Sequence, residues 1–253
     1  MKNAEASARP IATPSVDGSL SMKLLLAVLS LIAGSADVIG FLGLGGLFIA
    51  HVTGNLVVLV AHLVTGGEVQ TSRLLSVPVF VLALGLTRLV VAGLDRIGVA
   101  SLRPLLLLQF LLLAGFLVLC VAPGARFDAD GAKGILGGMI GVSAMAVQNA
   151  LVQVSLTGAP STAVMTTNIS HFLMDAGEAV FGRDPGLVAT ARSRAKHGWL
   201  VIVGFAAGCG IGAACEIAIG LWSLALPAGL ALVALGIAWS MKRDPGPVQE
   251  SWP

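Results

Sequence analysis

Eight ionisable side chains interrupt the apolar runs of this chain: Asp37, His51, His62, Arg88, His171, Asp175, Glu178 and Glu216. An ionised group at mid-helix in hydrocarbon costs roughly 2.5–3.5 kcal/mol, so such residues face a cavity or a partner. Asp37 lies about two-thirds of the way along the first apolar run, flanked by Ser35, Ala36 and Val38. A carboxylate there suits a proton-coupling site. Arg88 and Glu216 are expected as structural ion-pair partners, of each other or, for Arg88, of Asp37.

Two polar notches accompany these charges. "AHVTGNL" (residues 50–56) carries Thr53, Gly54 and Asn55 beside His51, and "VMTTNIS" (residues 164–170) carries Thr166, Thr167 and Asn168. Gly costs a helix about 1 kcal/mol against Ala, and Thr and Asn bond to local backbone. Both notches therefore predict a local helix break. The N–H groups exposed at such a break carry partial positive charge and suit a polar or anionic ligand. The other reading is packing: small residues let helices approach, and Asn bonds across the seam. Each notch also heads a polar stripe. Asn168, His171, Asp175 and Glu178, spaced three, four and three, share one helical face, as do His51, Asn55 and His62 on the earlier helix. Gln148, Asn149 and Gln153 add neutral amides able to donate and accept.

Other chemistry is sparse. His171 and Asp175 at i and i+4 lack an HExxH-type context, so no metal site is expected. There is no GxSxG and no phosphate-cradling loop, and no cofactor is expected. Cys120, Cys209 and Cys215 lie in apolar runs without zinc spacing and read as small packed residues. Gly204, Gly208, Gly212 and Glu216 recur every four residues, a small-residue ridge for helix packing that also suits a homo-oligomer contact.

These side chains need a scaffold, and composition sets its solvent. The chain is 56% apolar and only 11% charged, with net charge +2. Such a chain cannot cover its surface with polar groups, so lipid is its main partner. No basic patch points to nucleic acid. Eight segments reach spanning length, near 22–43, 46–66, 74–94, 104–122, 134–156, 162–181, 198–218 and 221–241. Residues 1–21 read as a disordered tail and 242–253 as a short one. With both tails cytoplasmic and eight crossings, twelve Lys and Arg fall inside and two outside, with Arg88 in a segment, the skew of the positive-inside rule. Six crossings with re-entrant hairpins remain an alternative.

Aligning Asn55 with Asn168 divides the chain into halves, 22–122 and 131–241, and brings Asp37 near Asn149. Weak internal symmetry of this sort marks transporter folds. Four crossings per half make the repeats parallel, and the charge skew favours that over inverted ones.

"SADVIGFL", "HVTGNLVVL", "GVSAMAVQNALVQ" and "VMTTNIS" together resemble the YoaK-like family of bacterial multi-pass inner-membrane proteins, a domain of unknown function. The resemblance covers nearly the whole chain after the tail, and Thr167 stands where the family's second triplet more often has Gly. It implies an all-α polytopic protein of the bacterial inner membrane and implies no substrate. The residues point to a transporter or channel for a small polar or anionic solute, with proton coupling through Asp37. An intramembrane enzyme using His171 and Asp175, and a non-catalytic membrane scaffold, are the alternatives.

Overall fold

A computed structural model describes residues 20–67, 70–122, 128–156 and 158–241. The tails expected over 1–21 and 242–253 lie outside the described residues, apart from residues 20 and 21, which open the first helix. Regular structure among the described residues is entirely helical: α1 (Leu20–Gly43), α2 (Val52–Thr65), α3 (Thr71–Arg96), α4 (Leu102–Val121), α5 (Ala132–Ser155), α6 (Met165–Phe181), α7 (Pro185–Ile219) and α8 (Ala225–Ser240). A short 3₁₀ turn, Gly220–Leu224, joins the last two. Four helices (α1, α3, α4 and α5) and the continuous stretch holding α7 and α8 are long and apolar enough to cross a membrane.

Two of the expected spans are shorter than predicted. At about 1.5 Å per residue, the 14 residues of α2 cover about 21 Å and the 17 of α6 about 26 Å, against a hydrocarbon layer of about 30 Å. The expected segment 46–66 loses its first six residues because Gly45 and Gly46 turn the chain with φ of 65° and 87°. Only glycine adopts such angles without strain. The following loop then packs as core, with Leu47 and Ile49 fully buried. α7, in contrast, starts thirteen residues before the expected position 198. Asp184 caps it by accepting from the N–H groups of Gly186 and Leu187 at 2.7 and 3.3 Å, and Pro185 occupies the first turn. Both are helix-start signals in a polar stretch that hydropathy alone passes over.

α1 and α5 are the most buried helices. α1 packs against α7 and α8, and α5 against α3 and α4. α4 meets α8, while α2 lies on α3 and α6 on α7. The α1–α7 seam is the glycine ridge. A Cβ built on Gly208 would strike the Leu31 backbone, one on Gly212 would lie 2.9 Å from Ser35 Cα, and one on Gly204 3.0 Å from Ala27 O. Residues rising along α7 thus meet residues rising along α1, so the two helices run parallel and nearly in backbone contact.

Other contacts orient the rest. Arg103, at the start of α4, donates to Ala238 O and Met241 O, both at 3.1 Å, at the end of α8. Gly138 and Gly141, early in α5, face Leu44, Leu47 and Ile49 just past the end of α1. Gln148, late in α5, bonds to Leu29 O, early in α1, at 2.9 Å. α1 and α5 are therefore antiparallel, and so are α4 and α8. Arg73, at the start of α3, touches Gly45 and Gly46 beside the end of α1. The chain thus leaves α1 and enters α3 at the same end of the bundle.

Candidate functional site

Asp37 anchors the loop between α1 and α2. Its Oδ1 accepts from Ala50 N at 2.5 Å and His51 N at 3.2 Å, and its Oδ2 meets His51 Nδ1. The carboxylate is 4% exposed, while the imidazole is about one-third exposed. Asp37 sits six residues, about 9 Å, short of the α1 terminus. The loop residues 44–51 therefore fold back along α1 before α2 begins. Gly40 makes room, since a Cβ there would overlap Ile49. From α7, Phe205 sets its ring edge-on to His51 with centroids 5.4 Å apart, and Cys209 Sγ donates to Gly34 O at 3.5 Å.

Asn55 closes the same loop. Its Oδ1 accepts from Phe48 N at 2.8 Å and its Nδ2 donates to Phe48 O at 2.7 Å, in full burial. The second notch does the same thing. Asn168 Nδ2 donates to Ser161 O at 2.5 Å, again seven residues back, and Asn168 is 5% exposed. Each Asn is the fourth residue of its helix. Each notch therefore opens its helix, and no break interrupts α2 or α6 after it. The Asn amides satisfy backbone groups of the preceding loops, at Phe48 and at Ser161. Thr53, Thr166 and Thr167 are exposed, and Gly54 packs its bare face towards the Phe48 ring.

Gln148, and not its neighbour Asn149, is the α5 side chain that holds the loop leading to α6. Gln148 Nε2 donates to Thr162 Oγ1 in the α5–α6 loop and to Leu29 O, both at 2.9 Å, while Gln109 Nε2 donates to Gln148 Oε1 at 2.6 Å. All three side chains are buried, and Gln109 Oε1 has no partner among the described residues. Asn149 instead accepts from the exposed Gln153 at 3.0 Å on the other face of α5.

A cavity of about 630 Å³ opens beside the second notch. Loop residues Pro160 and Ser161, Thr167, Asn168 and His171 of α6, and Arg194 of α7 contribute to its wall. At its rim, Arg194 Nη2 donates to Asp175 Oδ1 at 2.7 Å. Asn168, His171 and Asp175 of the α6 stripe thus line this hollow, and Glu178 is not among the lining residues. The stripe on α2 is divided: His51 goes to Asp37, Asn55 to the loop, and His62 Nδ1 receives Arg73 Nη1 at 3.0 Å.

Among the described residues the expected ion pairs of Arg88 and Glu216 do not form. Arg88 is exposed on α3, and Glu216 Oε2 accepts from Ser223 Oγ at 2.6 Å. Among the described residues the ion pairs are Asp37 with His51 and Asp175 with Arg194. Three important side chains were passed over in the sequence. Gln109 carried a signal, as the lone amide in "LLLLQFLLL". Arg73 looked like an ordinary loop charge, yet it is 6% exposed and donates to Gly45 O at 2.5 Å and Gly46 O at 3.2 Å. Two carbonyls turned out by twin glycines need donors, which is the cue that could have found it. Arg194 looked like one of several solvated basic residues.

A family model described as a protein of unknown function (DUF1275) matches residues 25–237, and the chain belongs to that family. No curated protein matches the chain, and no solved structure matches it.

Proposed function

We propose that this family member is a transporter or channel for a small polar or anionic solute, built from two inverted halves. Each half would hold three crossings and one re-entrant hairpin: α1, α3 and α4 with the α2 hairpin, and α5, α7 and α8 with the α6 hairpin. The observation that carries the reading is the antiparallel setting of α1 against α5, with a short helix starting at depth after each. Helix pairings support it. Exchanging α1–α4 with α5–α8 turns α1·α7 into α5·α3, α2·α3 into α6·α7 and α4·α5 into α8·α1, and leaves α4·α8 unchanged. Inverted repeats with interrupted helices near the midplane are a recurrent transporter plan.

This departs from the eight crossings and parallel repeats expected from hydropathy. The charge skew is no obstacle. With six crossings and cytoplasmic tails, eleven Lys and Arg fall inside, three (Arg73, Arg126 and Lys133) outside, and Arg88 within α3. A hairpin returns to its own side, so the positive-inside rule tolerates either count.

In this reading the cavity beside α6 is the cytoplasmic vestibule, and Asp37 with His51 is the couple that exchanges a proton. The vestibule's polar groups are hydroxyls, an amide, an imidazole and one internally paired Asp–Arg set, which suits a small solute recognised by hydrogen bonds. The enzyme alternative is less well supported, because Asp175 is occupied by Arg194 instead of oriented towards His171.

The test is solute entry into proteoliposomes, followed by stopped-flow light scattering with a panel of urea, glycerol, formate, acetate and phosphate, each with and without a pH gradient. Entry above protein-free liposomes for at least one solute is expected. Loss of its pH-gradient dependence in Asp37→Asn is expected as well. A panel indistinguishable from protein-free liposomes would remove the transport reading, and gradient-driven entry unchanged in Asp37→Asn would remove Asp37 from coupling.

A further inference from the structure

We propose that Arg73 and Arg194 are paired gate latches, one for each hairpin, captured here with the Arg73 latch closed and the Arg194 side open. The proposal rests on the inverted-repeat transport reading and adds the device that would alternate access.

The two arginines engage corresponding positions. His62 is the eleventh residue of α2 and Asp175 the eleventh of α6. They are 113 residues apart, as are Asn55 and Asn168. Each is held by an arginine from the helix that follows: Arg73 of α3 for His62, Arg194 of α7 for Asp175. Neither arginine marks a simple surface salt bridge in sequence, and only the packing of α2 on α3 and α6 on α7 brings the pairs together.

The latches differ in state. Arg73 is buried, and two of its nitrogens also hold the Gly45–Gly46 turn of the first hairpin. Behind it two inward residues of the first hairpin are covered: Leu47 is fully buried and Leu59 is 7% exposed. The corresponding positions of the second hairpin, Pro160 and Phe172, line the cavity. There the Arg194 side chain is 63% exposed and holds Asp175 without reaching the loop carbonyls. One half of the molecule is thus clasped over its hairpin, and the other is not.

The closed latch is built to open. Among the described residues no carboxylate pairs with Arg73. Among the described residues its partners are the Gly45 and Gly46 carbonyls and the His62 imidazole nitrogen. A buried cation held in this way keeps much of its desolvation cost, so release into water recovers hydration as the bonds are lost. An element with two arrangements of similar free energy is what a population shift acts on.

Single-cysteine reporters test this in the full chain in membrane vesicles, with Cys120, Cys209 and Cys215 replaced by Ala or Ser. Leu59→Cys reports the first hairpin and Thr167→Cys the cavity. A membrane-impermeant maleimide is applied from either side. In the parent, Thr167→Cys should label from the cytoplasmic side and Leu59→Cys should be protected. Arg73→Gln should speed Leu59→Cys labelling from the opposite side at least fivefold and slow Thr167→Cys labelling at least threefold. Arg73→Lys, which keeps the charge and loses the fork, should fall between and serves if Arg73→Gln does not fold. Arg194→Gln should leave Leu59→Cys protected. Faster Leu59→Cys labelling with unchanged Thr167→Cys labelling would mean local loosening and overturn the proposal, as would no change at either reporter. Reciprocal labelling with no solute entry in liposomes would instead sink the transport reading and leave the latches standing. Solute entry with unresponsive reporters would do the reverse.

Discussion

Replacing Asp37 separates its structural role from its chemical one. Asp37 gives Oδ1 to two backbone N–H groups, Ala50 and His51, and Oδ2 to the His51 ring. Asp37→Ala removes all three partners at a site 4% exposed. Each buried donor left unpaired costs about 1–3 kcal/mol, and no water is at hand if the site lies in a bilayer. Two stranded backbone donors then cost about 2–6 kcal/mol. Asp37→Asn keeps an oxygen for both N–H groups and loses only charge assistance, about 1 kcal/mol per bond, for a total of about 1–3 kcal/mol. The measurement is equilibrium unfolding by steric trapping in bicelles, backed by thermal melts in detergent. Asn should retain at least half of the stability that Ala loses, and both proteins should be compared for pH-gradient-dependent entry. Equal destabilisation by the two substitutions would refute the reasoning, because it would mean that the backbone bonds carry none of the loss. If Ala were as stable as wild type, the loop between α1 and α2 would not hang on Asp37 at all.

Two further substitutions test the packing. Asn55→Ala strands both the N–H and the C=O of Phe48, whereas Asn168→Ala strands only Ser161 O. The first should cost about 2–4 kcal/mol and the second about half as much by the same unfolding assay; the opposite order would show that the clasp is not the source of the loss. Gly208→Val drives a side chain into the Leu31 backbone, whereas Gly210, one step round the same helix, has open space. Overpacking should cost Gly208→Val about 1–3 kcal/mol and leave Gly210→Val near neutral in thermal melts, and similar effects at both would argue against the α1–α7 seam.

Much of this protein is set by short-range chemistry and is legible in the chain. Apolar runs long enough to span lipid specify helices because only a helix satisfies its own backbone in hydrocarbon. The four-residue spacing of Gly204, Gly208 and Gly212 specifies a face where another backbone can approach, and α1 takes it. The notch residues Asn55 and Asn168 are legible as polar interruptions, and each amide bonds to backbone seven residues earlier, Asn55 through two bonds and Asn168 through one. The element boundaries at Asp184 and Pro185 were also written locally, though a hydropathy window does not weigh them.

What the chain left open depends on which way elements run. Hydropathy is the same for a segment that crosses and for a loop that folds back with its backbone tied to Asp37. The charge count is nearly blind to the difference, since a hairpin returns to its own side. Antiparallel α1 and α5 emerge only when Leu44, Leu47 and Ile49 find the glycines at 138 and 141, and Gln148 finds Leu29 O. Partner choice was also decided in three dimensions. Asp37 has His51 within reach because eight loop residues turn back along α1, so Arg88 is left facing outward. Arg73 becomes a buried clasp because two glycines expose carbonyls beside it. Local sequence determined which residues are polar, where helices start and which faces are small; the antiparallel setting of α1 against α5 and the packing of α2 on α3 and α6 on α7 decided what those groups touch.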